Sequence, residues 1–276
     1  MDPLQIRQTE LDLLQSFIEM VRSAIGDMIF LSFSSIDSFN FSAIIIITAW
    51  YFIGEKIGWR LFFILSLSWS FNIWLKDLFA SPRPCHLLHD MGLFCPKSYG
   101  FPSGTAQFTF LLALIFVKET KKKWVHIVLF LFAIFSCFSR IYLGVHFFTD
   151  ILAGISTAVF IALFYWKYLP LFENSKIIRS IVFILPTLLF LGTHSWNIIG
   201  IFIGIELGMY FNKKNSIDLT TIQKTITFLI GGTGLYILSD LVNRSFLYDI
   251  LLYPGMGIWV SYAANKLTSI FFRKIL

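Results

Sequence analysis

Charge is scarce in this sequence. Asp, Glu, Lys and Arg make up 14% of its 276 residues, where a typical soluble domain carries roughly 25%. That shortfall excludes an ordinary water-exposed globular domain. No Gly-, Ser- and Pro-rich linker and no block of like charge divides the chain, which favours one helical bundle over two tethered domains. Basic stripes interleaved with aromatics are missing too, so the net charge of +6 does not imply a nucleic-acid partner. No internal repeat is evident, and the first residues lack the pattern of a cleavable signal peptide. Cysteines number three. Cys137 falls inside an apolar run and reads as a small core residue. Cys85 and Cys95 flank a polar loop and can pair if that loop faces an oxidising compartment.

What the chain does have is apolar length. Hydrophobic residues make up 57% of it, 32 of them Phe, and the mean hydropathy is +0.75. Runs of roughly 17 to 20 apolar residues recur, long enough to cross a bilayer as helix. The expected fold is therefore all-α, a polytopic membrane helical bundle of about nine transmembrane helices. The expected spans are 39–54, 61–79, 102–117, 124–138, 147–168, 177–191, 196–211, 226–241 and 246–264. Before them, Leu4, Leu11, Leu14, Phe17, Ile18 and Val21 recur at helical spacing among charges. Residues 1–38 thus read as an amphipathic surface helix and its lead-in.

Basic residues orient this bundle. With the N-terminus outside and every span crossing, fifteen of the 22 Lys and Arg gather on one face. They include Lys56, Lys118, Lys121 to Lys123, Lys213, Lys214 and Lys274, and the positive-inside rule makes that face cytoplasmic. The expected location is the cytoplasmic (inner) membrane, with the C-terminus on the cytoplasmic side. Arg244 falls on the other face, and so do Lys76, Arg83 and Arg140, against the rule.

Three polar stretches share that external face. Lys76, six residues, then Arg83-Pro84 end the second span. Lipid-headgroup snorkelling accounts for either cation alone, but a point charge beside a planar fork also suits phosphate oxygens. Pro102-Ser103-Gly104-Thr105 opens the third span. Ser is a favoured N-cap, and free amides at a helix N-terminus also receive anions. Between two apolar runs, Ser139 to Asp150 brings Arg140, His146 and Asp150 together. A solvated loop with a capping Asp is one reading, and a functional site at the membrane edge is the other.

Taken together, Lys76-x6-Arg83-Pro84, Pro102-Ser103-Gly104 and Ser139-Arg140-x5-His146-x3-Asp150 resemble the three-part signature of the type 2 phosphatidic acid phosphatase superfamily. Lipid phosphate phosphatases, undecaprenyl-diphosphate phosphatases and glucose-6-phosphatase belong to it. The resemblance covers about residues 39–168 and leaves 169–276 as additional helices without a motif. It implies that His146 is the nucleophile and that Asp150 orients its imidazole. Lys76, Arg83, Arg140, Ser103 and Gly104 would hold the phosphate oxygens. The implied substrate is a membrane lipid phosphate or diphosphate, hydrolysed through a phosphohistidine. No cofactor or metal is implied, and the five His form no ligand cluster in sequence.

One position departs from that signature. The superfamily's second motif ends in His, which protonates the leaving oxygen, and this chain has Thr105 there. A hydroxyl is too weak an acid near neutral pH, and general acid catalysis contributes about 10²- to 10⁴-fold. Slow turnover of simple phosphomonoesters, whose alkoxide leaving group needs a proton, is one consequence. A diphosphate lipid, whose leaving group departs without one, is a second, and a substitute acid at His86 or His89 a third. A protein that binds lipid phosphate without turnover is a fourth. A lipid transporter or flippase is the other class, suggested by Glu206, Asp240 and the Gly231-Gly232-Thr233-Gly234 run in later spans. Close helix packing explains those glycines equally well. His126 and His194 read as interfacial.

Overall fold

A computed structural model of the chain describes residues 3–34, 39–212, 219–241 and 246–273, and no strand occurs among them. The helices are α1 (Pro3–Val21), α2 (Ala24–Ser32), α3 (Phe39–Thr48), α4 (Glu55–Phe79), the single turn α5 (Pro84–Leu87), α6 (Gly104–Glu119) and α7 (Lys123–Tyr142). They continue as α8 (Phe148–Asn174), α9 (Lys176–Leu191), α10 (Trp196–Asn212), α11 (Thr221–Leu241), α12 (Phe246–Ile258) and α13 (Ala264–Arg273). Lys213, Lys214, Arg244 and Lys274 lie outside the described residues, as do the side chains of His194 and Arg273.

Each expected apolar segment is helical, but length and composition suit a membrane crossing in two of the described helices, α7 and α8. A shorter apolar helix covers Asn40–Ile53. Helix α6 falls short by length: its 16 residues reach roughly 24 Å at 1.5 Å each, against a hydrocarbon core of roughly 30 Å.

By contacts the chain forms two compact units, interleaved in sequence rather than consecutive. One comprises 1–41 and 68–178, the other 42–67 and 179–276. All three polar stretches belong to the first.

In the first unit, α1 turns its apolar face into the protein. Leu11, Leu14 and Ile18 are buried with Met91, Ala106, Cys137, Ile141, Phe147 and Ile151. Leu14 is 0% exposed, and full burial of such a side chain stabilises by about 2 kcal/mol. Leu11, Leu14 and Ile18 of the stripe expected to lie on a membrane surface are thus covered by the chain's own core, and the side chain of Leu4 lies outside the described residues. Polar contacts fix the docking. Arg22 donates to the Met91 carbonyl at 2.8 Å, and the Tyr142 hydroxyl accepts from the Ser23 amide at 2.9 Å.

Helix α7 runs past the expected end at residue 138 to Tyr142. The Arg140 guanidinium does not break it, because the Phe33 and Ser34 carbonyls satisfy that charge at 2.5 and 3.1 Å. The stop comes at Gly144, whose φ of +69° suits glycine. Its amide and that of Val145 bond back to Ile141 and Arg140.

In the second unit, α10 lies backbone to backbone against α12. A Cβ at Gly204 would come within 2.0 Å of the Pro254 carbonyl oxygen. Glu206 pairs with Arg179 and accepts from Trp59 Nε1 at 3.2 Å, so its charge has partners. Asp240 is exposed. The Gly231-to-Gly234 run, one of the features behind the transporter reading, leaves α11 continuous. Gly231 and Gly234 make room there for the rings of Tyr51 and Trp259.

Gly154 is the glycine on which the first unit turns. A Cβ there would lie 2.5 Å from the Ser103 carbonyl oxygen, so only Gly lets α8 approach the start of α6 this closely. Gly154→Ala should cost about 1–3 kcal/mol by overpacking, measurable as a lowered melting temperature in detergent. An unchanged melting temperature would mean that α8 shifts freely.

Candidate active site

Two buried amides set the spacing of the helices that carry the first two polar stretches. Asn72 on α4 donates to Gln107 on α6 at 2.8 Å, and Gln107 donates to the Ser68 carbonyl and hydroxyl at 2.8 Å each. Lys76 is one turn beyond Asn72. Its ammonium donates to the carbonyls of Tyr99 at 2.7 Å and Gly100 at 3.3 Å. The loop that precedes α6 is therefore drawn onto the end of α4.

Arg83 holds the same loop from its other side. Its Nε donates to the Ser98 carbonyl at 2.7 Å and its Nη2 to the Ser98 hydroxyl at 3.0 Å. Nη1 donates to the Val145 carbonyl at 3.0 Å and lies 2.9 Å from His146 Nε2. A guanidinium has only donors, so Nε2 must be the accepting, unprotonated nitrogen. Across the ring, Nδ1 is 3.3 Å from Asp150 Oδ2 and supplies the proton of that bond. One tautomer satisfies both contacts.

Asp150 also caps its own helix, accepting from the Phe147 amide at 3.0 Å through the same Oδ2. Asp150 is therefore both a cap and a ring partner: capping fixes the carboxylate that faces His146 Nδ1. The Asp150 backbone carbonyl accepts from the Ser103 amide at 2.9 Å, which ties the third stretch to the second. Gly100 completes the packing, since a Cβ there would lie 3.1 Å from Asp150 Oδ2.

His146 is 3% exposed and Asp150 0%. Burial pushes the imidazole from its ordinary 6.5 down to about 3. The charges of Arg83 and Lys76 add to that shift, against the Asp150 carboxylate, which opposes it. The ring is neutral at any physiological pH, with the Nε2 lone pair turned toward a cation. Such a nitrogen can attack phosphorus held by the same cation.

The remaining expected residues are placed as follows. Ser103 is the N-cap of α6, accepting from the Ala106 amide at 3.5 Å, and Gly104 is the helix's first residue. Thr105 is fully buried in that first turn. Arg140 is buried on α7 with the carbonyl partners named above. His86 spends both ring nitrogens on the loop, accepting from the Arg83 amide at 3.3 Å and donating to the Pro96 carbonyl at 2.9 Å. It braces the loop rather than offering an acid, and His89 is exposed. Cys85 and Cys95 form a disulfide. Together with His86 they are a possible metal trio by proximity, but the disulfide removes both thiolates from such a set.

Comparison with known proteins bears on this constellation. A family model described as the PAP2 superfamily matches residues 57–173. Among solved structures, LpxE from Aquifex aeolicus is similar at 30% identity with a TM-score of 0.51, covering 57% of this chain and 94% of that one. The chain belongs to the PAP2 superfamily. Curated proteins give no match. PAP2 members are phosphatases, so phosphoric ester hydrolysis is the class of chemistry this membership supports.

Sequence reasoning missed one contact of this constellation. Arg7 on α1 donates through Nη2 to Asp150 Oδ1 at 3.1 Å and to the Ser81 hydroxyl at 2.9 Å. Only its position in a charged helical stripe was visible in sequence, which signals a solvated face.

A low imidazole pKa has a pH consequence. An ordinary histidine nucleophile would lose activity tenfold per unit below pH 6.5. Here kcat/KM, corrected for substrate ionisation, should stay within about threefold from pH 7 to pH 5. Stability should behave oppositely: the unfolded chain takes up a proton at His146 near 6.5 that the folded one refuses until about 3. Folding is thus progressively weakened as pH falls through that window. A kcat/KM limb at pH 6.5 would contradict the assignment of the buried neutral ring.

Proposed function

We propose that the protein is a multi-pass membrane phosphatase that hydrolyses a lipid phosphate or diphosphate through a phosphohistidine on His146. The observation that carries the reading is the imidazole fixed between Asp150 Oδ2 at 3.3 Å and Arg83 Nη1 at 2.9 Å. His146 Nε2 forms the bond to phosphorus as the bond to the leaving oxygen breaks. Water then attacks the phosphohistidine, releasing inorganic phosphate and restoring the ring.

Lys76 and Arg83 hold the non-bridging oxygens, with the Ser103 hydroxyl and Gly104 amide at the positive end of α6. Arg140 joins them by giving up its carbonyl partners on Phe33 and Ser34. Asp150 holds the tautomer and stabilises positive charge on the ring.

Membrane placement is supported by the outward faces of the long helices. On α7, Trp124, Ile127, Val128, Leu131, Ile134 and Phe138 are exposed at helical spacing, an apolar surface of the kind lipid would cover. The Cys85–Cys95 bond supports an external site, since disulfides persist in oxidising compartments. A continuous α11 and a paired Glu206 favour the phosphatase over the transporter reading.

Thr105 selects among substrates. With no imidazole to protonate an alkoxide, a diphosphate is favoured because its leaving phosphate needs no proton. Purified protein should release phosphate from undecaprenyl diphosphate faster than from phosphatidic acid or phosphatidylglycerol phosphate, and His146→Ala should abolish it. Thr105→His should raise monoester turnover by about 10²-fold with diphosphate turnover within about threefold. Phosphate release that survives His146→Ala would sink the reading. Tight binding without release would make the chain a lipid-phosphate receptor instead.

A further inference from the structure

Arg7 comes from a helix outside all three polar stretches, yet it reaches the carboxylate on which the tautomer of His146 depends. Besides Asp150 and Ser81 it meets Thr149 Oγ1 at 3.2 Å and Glu10 at 3.5 Å, and its guanidinium lies 4.4 Å over the Phe147 ring. Glu10, a turn away on α1, accepts from the Thr149 amide at 2.7 Å and hydroxyl at 2.8 Å. The same helix thus caps α8 and pairs with its first-turn acid.

We propose that Arg7 is a positioning residue of the phosphatase reaction, bridging Asp150 Oδ1 and the Ser81 hydroxyl so that Oδ2 stays aimed at His146 Nδ1. The two oxygens of Asp150 are divided. Oδ2 serves the Phe147 amide and His146, while Oδ1 faces Arg7. With Oδ1 unpaired, the carboxylate is freer to swing out of line with Nδ1, which weakens the bond that selects the tautomer. Nη2 donates to Oδ1 and to the Ser81 hydroxyl together while Nη1 is held by Thr149 and Glu10, and the rigid planar group anchored on both sides resists that rotation. Ser81 lies two residues before Arg83, so the bridge also joins the backbone carrying the phosphate-holding cation to the carboxylate.

Charge sets the expected pH effect. The groups that face the His146–Asp150 pair are Arg7 and Glu10 from α1, Lys76 from α4 and Arg83 from the following loop. Removing the Arg7 cation makes proton uptake by the pair easier, so the acid limb of kcat/KM should move to higher pH.

This inference rests on His146 being the nucleophile, and the experiment separates the two. In the full chain, in detergent, His146→Ala first establishes that phosphate release depends on the imidazole. If release survives that change, the nucleophile assignment fails and the role of Arg7 fails with it. With it established, Arg7→Gln should lower kcat by about 10- to 100-fold, as loss of such supporting partners does, with KM within about threefold and the acid limb raised. Arg7→Lys keeps the charge without the fork and should fall between the two, by about three- to tenfold. A merely structural role predicts losses that follow the folded fraction and an unmoved pH profile, and that result overturns the proposal. If Arg7→Gln does not fold, Arg7→Lys decides: wild-type kcat and acid limb in that variant would falsify the bridge.

Discussion

The imidazole of His146 is held by two opposite demands. Asp150 requires a proton on Nδ1, and Arg83 requires a lone pair on Nε2. Together they leave one tautomer and one ring orientation, and burial removes the water that would otherwise allow the imidazolium. Most of the first unit can be understood as the support for that arrangement. Helix α8 carries the carboxylate, the α7 end and Gly144 turn the chain so that His146 precedes it by one helical turn, and the turn that opens α5, just before the disulfide, carries the cation.

Placing cations and a neutral base this close requires that the cations be satisfied before any ligand arrives. Backbone carbonyls do this. Lys76 and Arg83 are hydrogen-bonded to the loop 98–100, and Arg83 to Val145 as well. These bonds to charged donors, worth about 1.5–3 kcal/mol each, fold the loop against α4 and hold the donors in place. In the proposed reaction phosphate oxygens compete with those carbonyls, and a preorganised site reorganises little when charge develops.

The local signals were legible. Ser103 before an apolar run reads as an N-cap and is one, and the spacing of the three polar stretches resembled a family to which the chain belongs. Asp150 proved to be a cap and a ring partner together, because a first-turn carboxylate on α8 faces both the Phe147 amide and the preceding turn. Helix ends were less legible. Arg140 looked like the end of a span because an unpaired charge ends one, and the carbonyls of Phe33 and Ser34, about a hundred residues earlier in the chain, remove that reason.

The sequence by itself determined that the chain is helical and apolar, and it set a histidine, a carboxylate and three cations in a pattern that resembles a phosphatase family. Periodicity, caps and short spacings are properties of neighbouring residues, and physical chemistry acts on them before any fold exists. Tertiary structure alone decided that Arg7 meets Asp150 across 143 positions, that His86 braces a loop, and that Cys85 and Cys95 join. Those contacts depend on which faces pack. An amphipathic stripe with a cation on it looks the same in sequence whether water, lipid or an active-site carboxylate lies opposite.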